Sequence, residues 1–369
     1  MKKLILFTFV AAAAAFYTLS AQDRTVNRRP SNSRQMQQSV RTNAVKADVG
    51  KPATLKKIAS GLKVAVPVKH ANLEVFLIEG DDLAGTKNVL TLDEAMSASK
   101  PVVVKETSQV NELTVNNSQD EKEVFIMAGD IVKGGRQDRT LGSDLPLKPK
   151  SGEVSVASFC VEQGRWSKRG NESAAQFSSS KNVVASKEGK LAVRKAGNQG
   201  EVWQSVAAAQ EKISRNIGKD VKPTASATSL QLTLEDKDLK SKIKTFVEAL
   251  KPAVESSPRS LGFVCAINGE INSAEIFAGH DLFRRVWPKM LEGLATEAIS
   301  LADGKPAADP ATNETAVQFI NRAESAAATE KPLQGSLKHV SAESEDTVLF
   351  ETVDEKKEGR WLRRNIIKK

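Results

Sequence analysis

Leu261-Gly262-Phe263-Val264-Cys265-Ala266-Ile267-Asn268-Gly269, followed by the apolar return at residues 271–277, decides the fold class. Leu261, Phe263, Cys265 and Ile267 alternate along one face, the period of a strand. Asn268-Gly269 supplies the two residues that a tight hairpin turn needs at positive φ. This strand pair lies between helical patterns. Ahead of it, Val202, Val206, Ala209, Ile213 and Ile217 recur at helical spacing and stop at Gly218. Leu239, Ile243, Phe246, Val247 and Leu250 do the same after a Thr233–Asp236 capping pair. Behind it, Leu282, Phe283, Val286, Trp287, Met290, Leu291, Leu294 and Ala298 make the strongest amphipathic pattern in the chain, which Pro288 is expected to break or kink.

Towards the N-terminus, the runs at 63–68, 73–78, 102–105, 112–115 and 123–127 are short and β-rich. A brief helix at 92–98 separates them, with Thr91 as its cap. Two further runs, 141–147 and 154–161, flank Lys148-Pro149-Lys150-Ser151-Gly152 and read as a hairpin. Residues 167–189 are Ser-rich and read as a long mobile loop. Towards the C-terminus, Asp309-Pro310 suggests a cap and first helical turn ahead of Phe319, Ile320 and Ala323. A strand at 347–353 and a basic end at 360–369 follow. Strands, then helices, without strict βαβ alternation predict an α+β fold. Its N-terminal half is antiparallel and strand-rich with helices packed on it, followed by the late hairpin and C-terminal amphipathic helices.

The chain has 369 residues and a net charge of +9, which would ordinarily suggest a polyanionic partner. The charge is confined to the first 62 residues. Lys2 and Lys3 contribute +2, and residues 22–62 contribute +7 through nine Lys and Arg against Asp23 and Asp48, so residues 63–369 are neutral. Specific nucleic-acid binding is therefore not expected. Lys2-Lys3, the uncharged run at 4–19 and Ser20-Ala21 follow the pattern of a bacterial secretory leader at 1–21. That run is too short to span a membrane, so no transmembrane segment is expected after cleavage. Residues 22–61, without an aromatic side chain, read as a disordered basic spacer, with tethering to anionic envelope polymers as the functional alternative. A single α+β domain at 62–302 and a C-terminal helix, strand and basic tail at 303–369 complete the organisation.

Scarce residues exclude chemistry. Two cysteines and three histidines rule out an all-cysteine zinc site and argue against a multi-histidine metal centre. No catalytic residue, metal ligand or cofactor can be named from the residues. Two segments stand out: residues 129–139, Gly-Asp-Ile-Val-Lys-Gly-Gly-Arg-Gln-Asp-Arg, and residues 160–166, Cys-Val-Glu-Gln-Gly-Arg-Trp. Gly129 and Gly134 have the separation of a phosphate-binding loop, but the Gly-Lys-Ser/Thr ending is missing. If the two segments close a hairpin centred near Lys150, Arg139 faces Val161, Asp138 faces Glu162 and Gln137 faces Gln163, within a residue or two. Arg136, Arg139, Arg165, Asp138, Glu162, both glutamines and Trp166 then share one sheet end.

This cluster has two readings. In one it is a polar pocket: Gly134-Gly135 lets the backbone approach an anion, and the arginines bind a phosphate or carboxylate. In the other it is a structural ion network that closes the sheet. A non-catalytic domain recognising an anionic small molecule or partner through this cluster is the leading functional reading. A hydrolase with Glu162 or Asp138 as general base is the alternative.

The two segments, the hairpin at 262–277 and the Phe283…Trp287-Pro288-Lys289 helix resemble the ARG and rhodanese-phosphatase-superfamily-associated protein domain (ARPP type) over residues 62–300. The resemblance implies ADP-ribose-like or phosphorylated ligands, because the family name records association with ADP-ribosylglycohydrolases and phosphatases. This chain departs from the family pattern in having Arg136 and Asp138 where Lys and Asn are more usual, and in carrying a leader. Cys160 and Cys265 fall in expected strands. An exported protein could join them, with a gain of about 4 to 5 kcal/mol in the entropic model, although both also fit as small buried hydrophobes.

Overall fold

The structure, a computed structural model, describes residues 50–369. The expected leader at 1–21 and residues 22–49 of the expected spacer lie outside the described residues. The described residues form one compact unit, and its architecture is α+β.

A ten-stranded antiparallel sheet spans this unit. Its order is Lys51–Ala53, Ala328–Gln334, Leu337–Glu343, Thr347–Asp354, Arg363–Lys368, Glu270–Phe277, Ser260–Ile267, Leu73–Glu79 and Lys63–Val64, with Val68–His70 also paired to Leu73–Glu79. The opening hairpin is thus the sheet's centre. Asn268 and Gly269 turn it at φ +54° and +80°, as the Asn-Gly pair requires. Both faces of the central strands are covered. Val75, Leu77, Phe263 and Cys265 pack under the helices Gln199–Ile217, Lys237–Leu250 and His280–Ser300. Phe76, Ile78, Val264 and Ala266 pack on the other side under Phe319 and Ile320 of the Asn313–Ser325 helix.

The second body is a closed six-stranded antiparallel barrel: Arg139–Leu141, Glu153–Cys160, Glu112–Asn116, Val103–Glu106, Gln176–Val183 and Asp130–Gly134. Val104, Val115, Val132, Leu141, Val156 and Phe177 fill it. A three-stranded sheet, Leu145–Leu147, Glu123–Ile126 and Val89–Thr91, lies beside it. Thr91 caps the Leu92–Met96 helix through a capping box with Glu94. Asp236 alone caps the Lys237–Leu250 helix, accepting from the backbone N–H groups of Asp238 and Leu239.

Several expectations are corrected. The 141–147/154–161 hairpin is real only at the end far from its expected turn: Arg139 pairs with Cys160, one residue from the expected register. Beyond Gly142 the strands part, Leu145–Leu147 joining the three-stranded sheet and Glu153–Ala157 joining residues 112–116. The Ser-rich stretch at 167–189 is not a free loop, because Gln176–Val183 is a barrel strand. Residues 50–61 are not disordered spacer: Lys51–Ala53 pairs with the Ala328–Gln334 strand at the sheet edge, and Leu55 and Ile58 are buried. The boundary at 302 divides nothing, since residues 328–368 supply four strands of the sheet. The basic end itself is one of them. Pro288 sits inside one continuous helix, His280–Ser300, rather than ending it. The Phe319 helix begins after Thr312, not at Asp309-Pro310.

Candidate functional site

The barrel end gathers most of the expected cluster. Asp138 and Glu162 are fully buried, and the two carboxylates are held by arginines, as like charges in such proximity require. Arg165 Nε donates to Glu162 Oε1 at 2.8 Å, and its Nη2 lies 2.7 Å from Glu162 Oε2. Asp138 is clamped by a residue that the sequence reading missed. Arg169 donates through Nη1 to Oδ2 at 2.8 Å and through Nη2 to Oδ1 at 3.0 Å, a bidentate fork. Ser229 Oγ, 3.1 Å from Asp138 Oδ2, and the Gly134 backbone N–H, 3.0 Å from Oδ1, complete its shell. The Asp138 backbone N–H donates to Glu162 Oε2 at 3.2 Å. All four carboxylate oxygens are therefore engaged. Burial alone would raise the Glu162 carboxyl, but the Arg165 fork and a Ser226 hydrogen bond outweigh it and hold the acid below its ordinary range. Asp138 in turn keeps the Arg169 guanidinium firmly protonated against the effect of burial.

The remaining expected residues divide. Gln137 Nε2 and Trp203 Nε1 both donate to the Glu162 carbonyl, at 3.0 and 3.2 Å. Arg139 is buried, ion-paired to Glu106 at 3.3 Å and bonded to the Val110 carbonyl. Gln163 is exposed and exchanges hydrogen bonds with Thr228 through its backbone. Trp166 forms a platform, with Arg136 and Arg139 guanidinium carbons 5.4 and 5.7 Å from its ring centre. The Arg136 side chain has no acidic partner among the described residues. The glycines have a packing role. A Cβ at Gly135, where φ is +56°, would sit 2.2 Å from the Phe177 ring, and one at Gly134 would sit 3.3 Å from the Gln176 carbonyl.

A second polar group lies where residues 129–139 meet the Trp287-Pro288-Lys289 helix. Lys289 Nζ donates to Asp130 Oδ1 at 2.8 Å and pairs with Asp93. Burial would lower the lysine, but the two aspartates outweigh it and raise it. Asp130 is raised by burial and by Asp93, against the pull of Lys289. Cys160 and Cys265 are both free and buried, so the structure contains no bridge between them. Burial pushes each thiol up to about 11, and neither is poised as a nucleophile. No cluster of acids, histidines and cysteines suited to a metal occurs among the described residues. No helix among them is long and apolar enough to cross a membrane.

Arg169 escaped the sequence reading because it sits in the stretch taken as a loop. Its signal was the density Arg165-Trp166-Ser167-Lys168-Arg169, with Glu172 three residues on, inside an otherwise serine-rich stretch. In a comparison with family descriptions, residues 61–366 match the ARG and Rhodanese-Phosphatase-superfamily-associated Protein domain. No curated protein and no solved structure matches the chain.

Proposed function

The chain belongs to the ARPP-1 family, and from that premise we propose that it is an exported, non-catalytic binding protein that takes an anionic small molecule or partner at the barrel end. The observation that carries the reading is Arg136. Its guanidinium lies by Trp166 and pairs with no acid among the described residues, whereas Arg139, Arg165 and Arg169 each hold one. A guanidinium stacked on an indole keeps its N–H edge available for a phosphate or carboxylate. The buried Gln137 Oε1 and Arg139 Nε, which meet no hydrogen-bond partner among the described residues, lie in the same region. The leader supports export, and export in turn argues against a cytosolic nucleotide role.

The hydrolase reading has less support. Every oxygen of Glu162 and Asp138 already accepts a hydrogen bond within the protein, so neither carboxylate has an oxygen free for a substrate. Burial holds His339 down to about 4, and His280 Nδ1 lies 2.8 Å from the Ser260 carbonyl.

The test is a thermal-shift screen of the protein against phosphorylated sugars, nucleotides and glycans, followed by titration of the best anion into Arg136→Gln. Affinity should fall at least tenfold, or about 1.4 kcal/mol, with the fold retained. An anion that binds Arg136→Gln as well as it binds the parent places recognition elsewhere. Turnover of an ADP-ribosyl or phosphoester substrate, lost in Glu162→Gln, would establish the hydrolase.

A further inference from the structure

We infer that a chloride ion binds in an interior cavity between the barrel and the ten-stranded sheet, against Lys190, Arg194 and Arg363. This site lies apart from the barrel-end cluster and does not rest on that reading. The cavity sits where residues 127–129 and 183–184, at one end of two barrel strands, meet the Arg363–Lys368 strand. Every residue that lines it is buried. Three of them are cations, Lys190, Arg194 and Arg363, and none is an acid.

The cations differ in how far the protein satisfies them. Arg363 spends its N–H groups on Glu275, Asp144 and the Ala128 carbonyl. Arg194 spends Nη1 on Asp144 at 2.8 Å, but its Nε and Nη2 are buried and meet no acceptor among the described residues. Burial and the Arg363 charge hold this guanidinium below its ordinary value, against Asp144 and Glu275. Lys190 is 7% exposed. Glu297, outside the lining, acts on it through charge without a hydrogen bond. Asp144 and Glu275 balance the two arginines, so Lys190 leaves the wall itself positive. Buried donors without acceptors carry a desolvation penalty that an anion relieves.

Size selects the anion. The cavity has about 10 Å³ of room, on the order of one water. Acetate, phosphate and every organic acid are too large, whereas a monatomic halide is little wider than water. Met127 and Met290 belong to the wall, and their flexible, polarisable side chains adapt to that difference. Water in the same place would turn its two hydrogens towards a positive wall, while chloride accepts from all of it. The unpartnered acceptor there, Asn365 Oδ1, is no obstacle, because an ammonium has three N–H groups to divide between an amide oxygen and an ion.

The experiment is urea unfolding of the full chain in sodium chloride and in sodium gluconate at one constant ionic strength. An ion bound only by the folded state raises the midpoint with each tenfold step in its concentration. Chloride and bromide should do so, and gluconate, too large for the cavity, should not. Lys190→Met keeps the length of the side chain and removes its charge, and should abolish the halide effect with the fold retained. Crystals grown in bromide should show an anomalous peak within hydrogen-bond distance of Lys190 and Arg194. Equal midpoints in chloride and gluconate, a halide effect that survives in Lys190→Met, or bromide found only at the surface each overturns the proposal. Should Lys190→Met fail to fold by circular dichroism, the comparison of salts in the parent and the bromide peak decide the matter alone.

Discussion

At Glu162, burial and charge pull in opposite directions, and charge prevails. Water is excluded from the carboxylate, but Arg165 supplies two N–H donors and Asp138 a third, so the folded acid titrates below its unfolded value near 4.5. The sign follows directly. The folded state binds this proton less readily than the unfolded chain, so the stabilisation is present above about pH 4.5 and is lost as pH falls through the folded value. Glu162→Gln is expected to cost about 2 kcal/mol at pH 7, the scale of a charge-assisted hydrogen bond, and to flatten the loss of stability below pH 4.5. Urea unfolding at pH 7 and pH 3.5 measures both, and parallel acid profiles in parent and variant would contradict the assignment. Asp138, Glu162 and Arg165 could be brought together from sequence because a hairpin end places them side by side. Arg169 could not, since its 31-residue separation from Asp138 is closed only by the path of the chain around the barrel.

The Arg363–Lys368 strand is the element most thoroughly disguised in the sequence. Arg360 to Lys369 reads as a solvated basic end because five of its ten residues are Lys or Arg. In the sheet it lies between Thr347–Asp354 and Glu270–Phe277, and its arginines are buried against acids. Arg363 pairs with Glu275 at 2.7 Å and Asp144 at 2.9 Å, while Arg364 pairs with Glu351 at 2.7 Å and with Glu324. Removing one member of a buried pair leaves its partner charged and unsolvated. Arg364→Ala should therefore cost about 3 to 5 kcal/mol. Truncation after Leu362 takes the arginine partner from Glu275, Glu351 and Glu324, leaves Asp144 with Arg194 alone and opens the sheet at its middle, and should abolish folding. A truncated chain that stays soluble, resists limited proteolysis and unfolds cooperatively would contradict this. By contrast, the Ser260–Ile267 and Glu270–Phe277 hairpin was legible because turn chemistry and alternation are written within one short segment.

Across the whole molecule, barrel and wide sheet are joined through buried charge. Arg363 spans from Glu275 in the sheet to Asp144 and the Ala128 carbonyl beside the barrel, and Arg194 also holds Asp144 at 2.8 Å. Neither body can open without stranding ions of the other. Unfolding in urea should accordingly be one transition. Trp166 at the barrel end and Trp361 among the sheet's packing residues, followed in single-tryptophan variants, should report coincident midpoints, and separated midpoints would show two independent units. The sequence by itself determined the long amphipathic helices, the Thr91 cap, the central hairpin, the α+β class and the neighbourhood of the barrel-end motif. Those features depend on interactions within a turn or two of chain, where propensity and periodicity act directly. Only the tertiary structure decided that the barrel closes, that the basic end becomes a sheet strand, and which acid each arginine meets. Strand pairing and charge pairing across 219 residues, as between Arg363 and Asp144, are set by how the packed bodies fit together, and no local pattern encodes them.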